Sequence, residues 1–202
     1  MLFNSLEFII FFIIVCSAYF IIPHKFRWFL LLAASCIFYM SFIPIYLLIL
    51  FLIIVIDYIA AIYIEKSDGR KRKFFLILSI LSTCMVLFIF KYFNFFNANL
   101  SRLAEFINWN YSIENLSLIL PIGLSFHTFQ SLSYVIEVYG GKFKAEKNLG
   151  IYSLYVMFFP QLVAGPIERP YNMIHQFYEE HKFEYERVRE GLLLMLWGFF
   201  KK

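Results

Sequence analysis

Charged residues fall in clusters along this chain, and long apolar stretches run between the clusters. An α-helix needs about 20 predominantly apolar residues to cross the hydrocarbon core of a bilayer. Six stretches approach that pattern, at 4–22, 28–42, 45–64, 74–96, 117–139 and 149–167. The second and third come from a single run, 28–64, whose one charge is Asp57 and which is too long for one crossing. Ser41-Phe42-Ile43-Pro44 divides it, because proline removes a backbone donor and disfavours the helical conformation at the residue before it. The pattern predicts a helical hairpin there.

Two segments are interrupted. The fifth holds Pro121 and Gly123, and the sixth holds Pro160, Gly165 and Pro166. Non-helical backbone at membrane depth is tolerated only where protein or a water-filled cavity receives the freed polar groups. These segments are therefore where a site is expected. Beyond them, residues 170–189 are strongly charged, yet Met173, Ile174, Phe177 and Tyr178 recur at helical spacing, which predicts a helix lying at the interface. A further helix is expected to start within 188–200. The organisation read from this pattern is a single membrane-spanning domain over 1–202, with no evident boundary inside it.

Composition strengthens the membrane reading. The chain is 61% hydrophobic and 16% charged, and 27 of its 202 residues are Phe and 14 are Tyr. Ordinary soluble domains are about 45–50% apolar and about 25% charged, so much of this surface has to face lipid. The expected class is an all-α polytopic integral membrane protein with broken or re-entrant segments. The net charge of +4 comes from basic residues in loops, which argues for topology signals rather than a nucleic-acid surface. Lys25 and Arg27, then Lys66 with Arg70 to Lys73, then Lys142, Lys144 and Lys147 occupy alternate loops. Those loops are expected in the cytoplasm, with the N-terminus outside and the chain in the cytoplasmic membrane. Cys16, Cys36 and Cys84 lie in apolar stretches without C-x-x-C spacing, so neither a disulfide framework nor a metal site is expected.

Two motifs carry a family resemblance. The first is Pro121-Ile122-Gly123-Leu124-Ser125-Phe126-His127-Thr128-Phe129-Gln130, continuing to Ser133-Tyr134 and Tyr139; the second is Phe158-Phe159-Pro160-Gln161-Leu162-Val163-Ala164-Gly165-Pro166-Ile167. Together with Met1-Leu2-Phe3-Asn4-Ser5 and Lys91-Tyr92-Phe93-Asn94-Phe95-Phe96, they resemble the membrane-bound O-acyltransferase family, in particular its alginate O-acetylation and D-alanyl transfer branch. The resemblance implies transfer of an acyl group, such as acetyl, from a cytoplasmic thioester donor to a hydroxyl of a cell-envelope polysaccharide such as alginate. Acetyl-CoA or a carrier-bound acyl thioester would be the donor substrate, with no bound cofactor. The bilayer, donor, polysaccharide acceptor and envelope acetylation proteins are the expected partners; nucleic acid is not.

The resemblance also implies a ring of transmembrane helices, of which this chain would form a partial ring, with a tunnel through its thin centre and a catalytic histidine in the C-terminal half of such proteins, beyond residue 202. The chain is accordingly expected to be an N-terminal fragment, inactive alone. His127, Gln130, Gln161, Glu168 and Arg169 are the substrate-tunnel candidates. His127 is the one histidine within an apolar segment, and its bland role is packing or hydrogen bonding. Gln130 and Gln161 are suited to lining the tunnel or bonding between helices. Glu168 and Arg169 adjoin the Gly165-Pro166 break and could meet a phosphate-bearing donor, with an ion pair as the plainer role. Asp57 is a buried-carboxylate candidate for a cavity or a structural pair. The rival class is a transporter or flippase component, whose broken helices would bind a solute without covalent chemistry.

Overall fold

In the computed structural model, residues 1, 3–107, 109, 111, 113–116, 121–162 and 165–201 are described, and the regular structure among them is entirely helical. Helix α1 spans Leu6–Ile21, capped where the Ser5 hydroxyl accepts the Phe8 amide at 3.2 Å. It stops before Pro23, and α2 (His24–Met40) follows directly. The Ser41–Pro44 turn leads into α3 (Tyr46–Lys66), so the predicted hairpin forms. Gly69, at φ 56°, takes the left-handed conformation that turns α3 into α4 (Gly69–Leu87).

Helix α4 passes through a single π-type turn, Phe88–Tyr92, into α5 (Phe93–Phe106). The fourth stretch, expected over 74–96, is thus part of a continuous helix of 38 residues, about 57 Å long at 1.5 Å per residue. Arg70 to Lys73 are good helix formers and extend it outward instead of ending it. Only 11% of its most apolar stretch is buried within the molecule, and 39% of that in α3. Both helices are long and apolar enough to cross a membrane; α1 is apolar but shorter. Leu48, Leu81 and Ile14 are each more than 60% exposed, an apolar exterior that suits lipid rather than water. This is an all-α membrane protein.

Helix α6 (Leu124–Tyr139) begins only after Gly123, since Pro121 and the positive φ of Gly123 keep the preceding backbone out of the helix. Residues 117–120, the start of the fifth expected stretch, lie outside the described residues. Helix α7 (Leu149–Met157) has its amides at Gly150 and Ile151 capped by the Asn148 side chain. The sixth stretch, expected to cross over 149–167, does not do so as a helix. After nine helical residues the chain turns at 159–162 and returns to the end from which it entered. The Tyr155 hydroxyl donates to the Glu168 carbonyl at 2.7 Å, and Arg169 stands 3.5 Å from Glu137 near the C-terminus of α6. The segment is re-entrant because Pro160 and Pro166 deny it the donors a helix needs.

The interfacial helix expected over 170–189 is corrected as well. The chain forms a short helix α8 (Pro170–Met173), a 3-10 turn (Ile174–Phe177), an irregular stretch, and α9 (Tyr185–Lys201). The interruption has a cause outside the segment itself. The Tyr178 carbonyl faces the His24 ring at 3.1 Å, and the His181 carbonyl accepts from Arg27 at 2.6 Å, so the start of α2 takes groups that a helix would pair internally.

The core joins α3, α4 and α6, with α2 and α7 against them. Tyr134 and Tyr152 lie at its centre with ring centroids 4.4 Å apart, and Phe8, Phe38 and Phe159 fasten α1 to α2 and to the turn after α7. The basic loops gather at one end of the molecule. There Arg72 donates to the Val138 and Tyr139 carbonyls at the C-terminus of α6, where a cation is favoured, and the Tyr178 hydroxyl donates to Glu146.

Candidate functional site

The two motifs meet. Gly123 lies at the N-terminus of α6 with φ 74°, and a Cβ there would stand 2.5 Å from the Leu162 carbonyl oxygen and 3.1 Å from His127 Nε2. Only glycine offers both the conformation and the space. On the facing side, Gly165 packs so tightly on Gln161 that a Cβ would lie 2.6 Å from the Gln161 Cβ, while its amide donates to the Gln161 carbonyl at 2.8 Å. The helix interruption at Pro160 frees the Phe159 amide, which the Ser35 hydroxyl of α2 accepts at 3.1 Å. Ser35 in turn donates to the Leu31 carbonyl at 2.8 Å, so protein receives the broken backbone at this depth.

His127 is fully enclosed. Its Nδ1 lies 3.1 Å from the Val156 carbonyl, an atom that can only accept, so the neutral ring carries its hydrogen on Nδ1 and presents a lone pair at Nε2. Nε2 has no hydrogen-bond partner among the described residues. Tyr39 of α2 contacts the ring edge-to-face at 5.8 Å. One turn along the same face, Gln130 is also fully buried, and both atoms of its amide are without a partner; so is Gln161 Oε1. The structure therefore brings His127 and Gln130 together on one face of α6, with Gln161 on the returning segment beside Gly123 and Leu162.

Glu168 and Arg169 lie elsewhere. Arg169 pairs with Glu137, ten residues along α6 from His127 and so about 15 Å away along the axis. Lys142 shares the same carboxylate at 3.9 Å. Arg169 and Lys142 are more than half exposed, and such pairs contribute little. Glu168 Oε2 lies 3.4 Å from the Asn172 amide nitrogen.

A second polar centre surrounds Asp57. Its carboxylate, fully buried in the middle of α3, accepts from Ser79 at 2.5 Å, from Thr83 at 3.0 and 3.1 Å, and from Ser131 at 2.5 Å. Ser131 also lies 2.7 Å from the Tyr152 hydroxyl. Four helices, α3, α4, α6 and α7, therefore meet through one hydroxyl-lined carboxylate. Asp57 stands out in the sequence, but its partners do not, although Ser79 and Thr83 recur at the spacing of one helix face within an apolar run. No group of three His, Cys, Asp or Glu side chains able to hold a metal gathers among the described residues.

No protein-family model matches the chain, and no solved structure matches it. Curated sequences do. The chain is 33% identical over its whole length to the probable alginate O-acetylase AlgI of Pseudomonas aeruginosa, covering 39% of that protein. It is 31% identical over its whole length to the protein of the same name from Azotobacter vinelandii, covering 41% of it. With 85% of its residues it is 30% identical to a peptidoglycan O-acetyltransferase of Helicobacter pylori, covering 37% of that protein. The chain thus spans about two fifths of the length of these relatives. Their similarity runs through both motifs and the helices around them, and it upholds over the whole chain the resemblance to the alginate O-acetylation branch of the membrane-bound O-acyltransferases.

Proposed function

We propose that this chain forms part of an enzyme that transfers an acyl group, acetyl as in the names of its relatives, onto a hydroxyl of a cell-envelope polysaccharide such as alginate. The observation that carries the proposal is the whole-chain similarity to proteins named as O-acetylases. The donor is a cytoplasmic thioester, acetyl-CoA or an acylated carrier, and the acceptor arrives from the opposite side with the help of envelope acetylation proteins. The protein lies in the cytoplasmic membrane with its N-terminus outside, an orientation supported by the gathering of the basic loops at one end.

Within this reading, the re-entrant segment 149–169 and the N-terminus of α6 wall the passage where donor and acceptor meet. Gln161 borders that passage, and His127 and Gln130 are enclosed behind it with polar atoms that have no partner among the described residues. Glu168 and Arg169 stand at its cytoplasmic rim. The general base that takes the proton of the acceptor hydroxyl is a histidine outside residues 1–202. Enclosure of His127 supports this division, because a base has to come within hydrogen-bond reach of the hydroxyl it serves.

The test expresses the complete gene product, and separately residues 1–202, in a host lacking its own polysaccharide O-acetylase. Base-labile acetyl esters on the exported polymer are then measured. The complete product should form esters and residues 1–202 should not. Turnover by residues 1–202 alone would overturn the assignment of the base, and export of an unacetylated polymer that depends on the complete product would favour a transporter.

A further inference from the structure

Helix α9 has no buried residue, and its apolar side faces α1 across an open cleft. A chamber of about 590 Å³ lies between Cys16 and Phe20 of α1 and Leu192 and Met195 of α9. An adjoining chamber of about 310 Å³ continues inward past Leu31 and Phe158 to Pro160, sharing Phe12, Cys16 and Phe20 with the first. These volumes fall in the range of about 300–1,000 Å³ typical of small-molecule sites. No ionisable carboxylate or ammonium lines either chamber.

The mouth is different. A third chamber, sharing Tyr19, Phe20 and His181 with the inner one, is rimmed by Lys182, Glu184 and Arg187. Lys182 and Arg187 have no carboxylate partner among the described residues. The Arg27 guanidinium lies 4.8 Å above the Tyr19 ring on the same rim. Lys182 and Arg187 border this chamber together with Glu184, and Arg27 lies beside Tyr19, at the end of the molecule where the basic loops gather. A long apolar chamber with a cationic mouth is the complement of one kind of molecule, an amphiphile with an anionic head and an aliphatic tail.

We propose that this cleft seats one acyl chain of an anionic membrane phospholipid, with its phosphate against Lys182 and Arg187. The tail replaces water or loosely packed lipid along α1 and α9, and the head is held by charge at the level where anionic leaflets attract basic side chains. This site is separate from the acyl-transfer passage, and it stands whether or not that passage is correctly assigned. A bound lipid would add to the contact of Phe20 with Phe183 in fixing α9 against α1.

The test uses the protein in its own membrane, photolabelled with phosphatidylglycerol carrying a diazirine in one acyl chain, beside the same probe with a phosphatidylethanolamine head. Crosslinked peptides are mapped by mass spectrometry. The anionic probe should label the α1 and α9 peptides in preference to the zwitterionic one. Substituting Lys182→Ala with Arg187→Ala should lower that labelling about tenfold. A Cβ at Gly191 would meet nothing within 4 Å, so Gly191→Trp can fill the outer chamber without disturbing the backbone, and it should abolish the label. Equal labelling by both probes, insensitive to Lys182→Ala with Arg187→Ala, would overturn the proposal. So would absence of label because another stretch of polypeptide fills the cleft.

Discussion

Gly123 and Leu162 touch where no side chain could come between them, the glycine holding φ 74° with its missing Cβ 2.5 Å from the leucine carbonyl oxygen. Gly123→Ala therefore meets two penalties at once. The left-handed conformation costs an L-residue about 1–2 kcal/mol, and the contact is with backbone, which cannot swing aside. The expected outcome is loss of folded protein from detergent-extracted membranes and a lower thermal midpoint, measured by fluorescence-detected size exclusion. A variant of unchanged midpoint would show that the two motifs do not meet as described.

Asp57 offers a different kind of test, because its neighbours are hydroxyls rather than a cation. Asp57→Ala would leave Ser79, Thr83 and Ser131 without their carboxylate acceptor, while the Tyr152 hydroxyl keeps Ser131 as its partner. Buried polar groups stripped of a partner cost about 1–3 kcal/mol each, so the loss should exceed that of any single hydroxyl deletion. Ser79→Ala alone, which leaves the carboxylate two other donors, should cost about 1 kcal/mol. Thermal midpoints of the two variants decide the matter; equal small effects would mean that the carboxylate does not tie the helices together.

His127 separates a packing role from a catalytic one. Its Nδ1 bonds to the Val156 carbonyl and its ring packs on Tyr39, contacts that link α6 with α7 and α2. His127→Phe keeps the ring and loses one hydrogen bond, so acetyl transfer by the complete protein should fall by less than tenfold once corrected for abundance. General-base catalysis typically contributes about 10²–10⁴-fold, and a fall of that size would make His127 the base.

The hydrophobic pattern was enough to read the helical class, the hairpin at Ser41–Pro44 and the breaks at Pro121 and Pro160. These features depend on local chemistry: apolar runs, proline and glycine. It was not enough for features created by distant partners. The stretch after Pro170 has helical spacing, but His24 and Arg27, more than 150 residues away, engage its carbonyls. Similarly, nothing in the spacing of 149–167 distinguishes a crossing from a return; that difference lies in contacts of Glu168 and Arg169 with Tyr155 and Glu137. Of the site candidates, His127 and Gln130 share a helix face by sequence spacing alone, whereas their distance from Arg169 emerges only once α6 is seen to run between them.

The return of 149–169 leads to the most direct topological prediction. A segment that crosses would place residues before Leu149 and after Glu168 on opposite sides of the membrane, whereas a re-entrant one places both on the same side. Single cysteines at Lys144 and Glu179, introduced after replacing Cys16, Cys36 and Cys84, should therefore react with a membrane-impermeant maleimide from the same side, together with one at Lys71 in the first turn of α4. A cysteine at Asn99 in α5, near the far end of the long helix that begins at Gly69, should react from the other side. All four side chains are exposed and none belongs to the hydrophobic core, so the substitutions should leave the fold intact. Labelling of Lys144 and Glu179 from opposite sides would mean that the chain threads the membrane between them, and the polar wall built from Gln161, Gly165 and the α6 N-terminus would then have to be a crossing helix, which Pro160 and Pro166 forbid.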